Sequence, residues 1–290
     1  QAKPHTYDQN RSEDSLLNTY GMDNRGLARD WNEEYQSCRE LPKSTPAERI
    51  VRDRTMYRVY SDFVDAATKG AVAVVHGHIP PVNPMDQPRA FVFIYNQIFF
   101  SFAVDERELA DTQSSDRVSY QTSNQDMLGV KAYSSLDIDD LYTLATVLID
   151  YRGHRVIAQS ILPGVFHGDR ASKHVYGSMD QGKTIEANEK FHQLMIKAAE
   201  KLHIKPHTVL DGKGEKKELA ACVESKGIIG SDGRSYILDL LRAFPRDANF
   251  LATAEESTTS SEDGDSGDDE KKSPLPHNSC LLRPELLAMY

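Results

Sequence analysis

The stretch Leu141–Gly164, LYTLATVLIDYRGHRVIAQSILPG, constrains the fold of this chain more than any other. It holds two apolar runs, Leu144–Ile149 and Val156–Leu162, rich in the β-branched residues that suit a pleated, half-buried surface. Between them stand Asp150, Tyr151, Arg152, Gly153, His154 and Arg155, and Gly153 supplies the positive φ that a tight turn needs. The pattern predicts a β-hairpin with a buried body and a displayed tip of two Arg, one His and one Tyr. Pro163-Gly164 ends the second run, since Pro donates no ladder hydrogen bond. Pattern alone also allows the tip to be an ordinary solvated turn.

Helical signals flank this hairpin. Residues 27–40 predict a short helix around Trp31, stopped by Pro42. Thr45-Pro46-Ala47-Glu48 is a capping box with Pro at the first helical position. The helix it starts is expected to run to about Lys69, with Gly70 as its stop. Met56, Val59, Tyr60, Phe63, Val64 and Ala67 share one face, which reads as core. Asn188–Leu202 is amphipathic, burying Phe191, Leu194, Met195, Ala198, Ala199 and Leu202.

Other segments predict strands and loops. Ala71–Val75 is a short apolar run ending in His76-Gly77-His78, and two His at that spacing on a strand would share a face, a candidate metal pair lacking a third ligand. Phe91–Tyr95 and Ile98–Val104 make a second hairpin around Asn96-Gln97. Asp105–Leu128 is expected to be a polar surface loop. Ser135–Thr143 is expected to be a short helix with Asp137, Asp139 and Asp140 at its N-terminus. Leu219–Val223 and Gly227–Ile229 read as strands, and Ser231–Arg234 as a hairpin turn before Tyr236–Leu240. The fold class is therefore α+β: antiparallel β-hairpins in a sheet flanked by helices.

The domain expectation is a flexible lead-in at 1–26, a globular domain at 27–250, a disordered acidic insert at 251–279, and an apolar tail at 280–290 that packs back or begins the next domain. The first residue is Gln, so a piece of a longer protein is expected. Net charge is -10, but residues 255–270 hold eight acidic and no basic residues, and the rest balances 34 basic against 36 acidic. A near-neutral domain does not advertise nucleic-acid binding by bulk charge, though a local basic patch remains open. Cys38, Cys222 and Cys280 are isolated, as in a reduced cytosolic protein without a zinc finger. No apolar run approaches the ~20 residues of a membrane helix, and no Walker loop, nucleophile elbow or HExxH occurs.

Three stretches together resemble the Clu domain of the clustered mitochondria protein family: DWNEEYQSCRELP at 30–42, IDYRGHRVIAQSILPG at 149–164, and VESKGIIGSDGRSYILDLLRAFPRDANF at 223–250. RDRTMYRVYSDFVDAATKGA, NQIFFSFAVD and CLLRPELL fit the same pattern, and SDFVDAA, IPPVNP and GSDGRSYILDL resemble plant or algal members. The resemblance implies a central module of a cytosolic, RNA-associated protein that regulates mitochondrial distribution, partly near the mitochondrial outer surface or in granules, without membrane insertion. It implies as partners the messenger RNAs of nuclear-encoded mitochondrial proteins, ribosomes and translation initiation factors, other regions of the full-length protein, and self-association. It supplies no catalytic residue, metal or cofactor.

With that resemblance, the exposed cations and rings become candidate RNA contacts: Tyr151, Arg152, His154 and Arg155 at the hairpin tip, with Lys173, Lys183, Arg234 and Arg242 elsewhere. The alternative from another class is a protein–protein scaffold whose apolar tail docks on neighbouring domains. A further alternative is a degenerate kinase-like (SAICAR-synthase-like) fold, on the strength of Leu238-Asp239-Leu240, although no phosphate loop precedes it.

Overall fold

A computed structural model describes residues 29–104, 116–166, 172–180, 182–245 and 289 of the chain. The expectations for 1–26, for 251–279 and for nearly all of 280–290 lie outside them. The described residues form an α+β arrangement of two main sheets, each covered by helices.

Helix α1 spans Trp31–Arg39, capped by the Asp30 carboxylate, which accepts from the Glu33 amide. Helix α2 starts at the anticipated capping box of Thr45 and Glu48 but continues through Gly70 to Val75. The reason is packing. A Cβ at residue 70 would collide with the buried Phe100 ring, so glycine lets the helix lie close on the sheet instead of ending it. Ala71–Val75 therefore extends α2 and is not a separate element; Ala71 and Val74 join the core.

The first sheet holds β1 (Val92–Tyr95), β2 (Ile98–Phe102), β4 (Thr146–Tyr151) and β5 (His154–Ser160), all antiparallel in the order β1-β2-β5-β4. Both of its hairpins have two-residue turns with positive φ at each central residue, 51° and 55° at Asn96 and Gln97, 50° and 83° at Arg152 and Gly153. That is the type I′ geometry, whose twist matches the strands. Phe93, Ile98, Phe100, Ile149, Val156 and Ala158 pack against Trp31, Phe63, Ala67, Ala71 and Val74.

Between the hairpins lies the largest departure from expectation. Asp116–Ser135 is a helix, α3, not a polar loop. Few of its residues are apolar, and it is held by long-range contacts: Gly129 lies against the Leu240 backbone, and the Asp126 carboxylate accepts from the Leu240 amide at 2.7 Å. The expected helix at 135–143 does not form. That segment leaves α3, takes positive φ at Asp137 and Asp140, and enters β3 (Leu141–Tyr142). Its carboxylates bind other elements instead: Asp137 and Asp139 pair with Lys43, and Asp137 also pairs with Arg52 of α2.

The second sheet adds β6 (Lys173–Gly177), β7 (Glu186–Ala187), β10 (Lys226–Ile229) and β11 (Ser235–Leu238) to β3, in the order β3-β11-β10-β6-β7. Only the short β3–β11 pair in it is parallel. Helix α4 (Glu189–Leu202), capped by Asn188, buries Phe191, Met195 and Ala198 beside Tyr176, Leu219, Ile237 and Leu240. A separate ribbon pairs β8 (His207–Leu210) with β9 (Lys216–Leu219). Leu219 thus ends a strand rather than starting one, and Ala220 and Ala221 are a buried loop whose first amide donates to the Tyr176 hydroxyl at 2.7 Å.

The chain crosses from the second sheet to the first between Tyr142 and Thr146, and α1 is wedged at this junction. Asn32 donates to the Tyr236 hydroxyl at 2.8 Å, and Gln36 donates to the Thr143 carbonyl at 2.9 Å. Tyr142, Leu144, Leu162, Ile228 and Tyr236 fill the seam between the sheets. These buried polar groups are partnered across 107 and 204 residues of sequence, which ties the relative placement of α1 and both sheets to one hydrogen-bonded network.

Candidate nucleic-acid interface

The hairpin tip borders an open cleft of about 670 Å³, walled by β2, the turn at Pro88–Ala90, the start of α3, and residues 150–155. The type I′ turn places Tyr151 and His154 directly opposite each other and Asp150 opposite Arg155. Each ring at the cleft has a neighbour. His154 lies 5.6 Å from Phe102 between centroids, and Tyr151 lies 5.7 Å from His76, with its hydroxyl 3.1 Å from the His76 Nε2. Tyr120, 52% exposed, has the Arg155 guanidinium 3.7 Å from its centroid.

Arg155 is not a free cation. It donates to both Asp150 oxygens at 2.7 and 2.6 Å, to Asn124 Oδ1 at 2.9 Å and to the Tyr120 carbonyl at 3.3 Å. Only 12% of its side chain is exposed. It is a clamp between the hairpin and α3. Its hydrogen bonds hold the Asp150 carboxyl below the usual carboxylate range. Hydrogen bonds from Asn124 and Arg155 likewise lower the Tyr120 phenol. Arg152 stands at the apex, exposed and with no ion pair among the described residues. The arrangement offers rings to stack on and a cation beside them, the two features that bind unpaired nucleotides.

The other four sequence candidates are elsewhere. Lys173 is exposed on β6 and Lys183 is exposed before β7. Arg242 pairs with Glu224 at 3.3 Å. Arg234 is gripped by Glu33, Glu40 and Asp232 at 2.5, 2.7 and 3.1 Å, which joins the β10–β11 turn to α1. Its hydrogen bonds hold the Glu33 and Glu40 carboxyls below the usual carboxylate range and raise its own pKa. The cleft beside it, about 740 Å³, sets Glu33, Glu40, Asp140 and Asp232 against Arg234 and Lys190, a field that disfavours phosphate. The tip therefore unites Tyr151, Arg152, His154 and Arg155, while Lys173, Lys183, Arg234 and Arg242 belong to the second half of the fold.

Sequence reasoning missed Phe102, Tyr120 and Arg89, which also line the tip cleft. Phe102 was legible as part of the expected strand Ile98–Val104, whereas Tyr120 sat in a segment read as loop. His76 and His78 are the C-cap of α2 and the residue two beyond, their rings stacked at 5.7 Å. Among the described residues no group of three or more His, Cys, Asp or Glu is placed to hold a metal, and no helix is long and apolar enough to cross a membrane. Asp239, the residue behind the kinase-like alternative, has φ 56° and pairs with Lys226 at 2.5 Å.

Fold and site together define an α+β domain that presents a cation-and-ring cleft at a hairpin tip. The Clustered mitochondria family matches residues 30–250, and the chain belongs to that family. It is 42% identical to the Clustered mitochondria protein of Arabidopsis thaliana over 99% of its length and 45% identical to the Clustered mitochondria protein homolog of Anopheles gambiae over 100%. It is 44% identical to Protein clueless of Drosophila mojavensis over 99%. The chain spans 22%, 20% and 19% of these curated relatives, respectively. No solved structure gave a significant match.

Proposed function

We propose that this domain is the RNA-contacting module of a larger cytoplasmic protein that governs mitochondrial distribution. The relatives' names, Clustered mitochondria protein and Protein clueless, support the mitochondrial role. The observation that carries RNA contact is the hairpin-tip cleft, where the exposed Tyr120 face, His154 and Arg152 converge on one opening. Unpaired bases would stack on the rings, and Arg152 would neutralise a backbone phosphate. In this reading the module is non-catalytic, its ligands are messenger RNAs for mitochondrial proteins, and ribosomes and initiation factors are engaged by the whole protein near the mitochondrial surface or in granules.

The test is a fluorescence-polarisation titration of the chain with single-stranded RNA at several salt concentrations. Saturable binding whose logarithm falls linearly with the logarithm of salt supports direct phosphate contact, and the slope counts the phosphates. A flat signal at low salt overturns the reading for this domain.

A further inference from the structure

The first sheet has a second face. Phe100 and Ala158 pack in the core under α2, and strand alternation turns their neighbours Phe99, Ser101, Ile157 and Gln159 to the opposite side. All four are only half-buried. With Asp126 and Val130 of α3 and the end of β11 at Leu238-Asp239, they line a cleft of about 440 Å³ between the two sheets. That volume and mostly apolar lining suit a small-molecule site. The cleft's free polar atoms are acceptors. One Asp126 oxygen accepts from the Leu240 amide at 2.7 Å, and the other has no hydrogen-bond partner among the described residues. Gln159 donates to the Thr146 hydroxyl at 3.3 Å, and its carbonyl oxygen has no donor there. Asp239 is already paired with Lys226. Burial pushes the Asp126 carboxyl only to about 6, so at pH 7.5 it is chiefly a carboxylate, which accepts and cannot donate.

We propose that this inter-sheet cleft binds a guanine base, its ring against Phe99 and Ile157 and its N1–H and 2-amino group donating to Asp126. The ligand must be flat and apolar-faced, with N–H donors side by side on one edge. Among the nucleobases only guanine has that edge. Adenine and cytosine set a ring-nitrogen lone pair beside their amino group, and uracil flanks its single N–H with carbonyls. Each of those lone pairs would face the Asp126 carboxylate. A simple ammonium would satisfy Asp126 but would lose its hydration against phenyl and aliphatic walls. The base arrives on a free nucleoside or nucleotide, or on an RNA strand. Arg89, Phe102 and Val104 line both this cleft and the hairpin-tip cleft, so the two adjoin. The strand as source rests on the RNA reading above, and the free base does not.

The test has two arms on the 290-residue chain at pH 7.5. Saturation-transfer NMR with guanosine, inosine and adenosine measures the free base. Fluorescence polarisation with an oligouridylate carrying a single guanosine or a single adenosine measures the strand. Guanine should bind at least about tenfold tighter than adenine, the scale of one bidentate base contact. Inosine, which lacks the 2-amino group, should fall between them. Asp126→Asn keeps an oxygen for the Leu240 amide but sets an N–H donor against those of guanine, and it should erase the preference. Thermal unfolding checks the fold of this variant. Ile157→Trp, which fills the cleft from a half-buried position, should block guanosine independently. A preference among the nucleosides supports the free base as ligand, and one confined to the strands supports RNA. Guanine preference absent from both arms, or surviving in Asp126→Asn, would overturn the inference. Strands that bind without preference would sink this inference and keep the RNA reading, whereas guanosine binding without strand binding would do the reverse.

Discussion

The Arg155 guanidinium stacks on the Tyr120 ring, 3.7 Å from its centroid, and so fastens the β4–β5 hairpin to helix α3. The same group is held edge-on by both oxygens of Asp150. One side chain thus builds a wall of the cleft while giving up its own availability to ligand. Arg155→Ala should destabilise the domain by about 1–2 kcal/mol, the combined scale of one cation–π contact and one well-formed, partly exposed ion pair. Urea denaturation measures this. A variant as stable as the parent would mean that the clamp is slack in solution.

Arg152 and Tyr120 should separate charge from stacking in RNA binding. Arg152→Glu is expected to reduce the slope of the log–log salt plot by about one, as loss of one phosphate contact does. Tyr120→Ala should weaken binding by about 1–3 kcal/mol with the slope unchanged. Lys173→Glu, on the second sheet, should change neither. Equal effects of all three would place the RNA off the hairpin tip.

Asp126 gives the domain an unusual pH response. Burial, with a smaller contribution from the Asp239 charge, pushes its carboxyl up to about 6. An unfolded Asp titrates near ~3.9. Between those values the folded state keeps a proton that the unfolded state has released, so raising the pH favours unfolding. The loss approaches about 3 kcal/mol by pH 7, at ~1.36 kcal/mol per pH unit. Asp126→Asn retains the oxygen that accepts from the Leu240 amide. It should be more stable than the parent at pH 7.5, and the difference should vanish near pH 4. Stability curves for both proteins at the two pH values decide the matter.

Arg234→Ala should remove stability of the opposite pH sense. Its hydrogen bonds hold Glu33 and Glu40 below the usual carboxylate range. The associated stability is present above the unfolded Glu value of ~4.3 and fades as pH falls through the lowered folded values. We expect a loss of about 1–3 kcal/mol at pH 7, since both glutamates remain about half exposed, shrinking below pH 4, with no change in RNA affinity. Thermal unfolding across pH checks the first part and polarisation the second.

Gly129→Ala tests why α3 exists. In an isolated helix this change stabilises by ~1 kcal/mol. Here the added methyl meets the Leu240 carbonyl and Cβ, and backbone cannot swing aside. Net destabilisation of about 1–3 kcal/mol is expected by chemical denaturation. A stabilised variant would show that α3 and Leu240 do not touch.

The local code of this chain was legible. Asn96-Gln97 marked one hairpin turn and Gly153 the other, and the apolar, β-branched runs beside them marked the strands. Thr45-Pro46-Ala47-Glu48 and Asn188 marked two helix starts, and the tip group Tyr151, Arg152, His154 and Arg155 could be named. Each of these signals acts within a few residues, through a φ preference, a side-chain cap or the alternation of faces.

The tertiary structure decided the rest. Gly70 stops a helix in local logic, yet here it lets α2 run on across Phe100. The polar segment 116–135 is helical because Gly129 and Asp126 engage Leu240 more than a hundred residues away. Asp137 takes a positive φ, where it binds Lys43 and Arg52 instead of capping a helix. Arg155 and Arg234, alike in sequence as displayed cations, became clamps because carboxylates from other elements reached them. Packing and charge pairing depend on which segments meet in space, and a single sequence carries no local mark of that meeting.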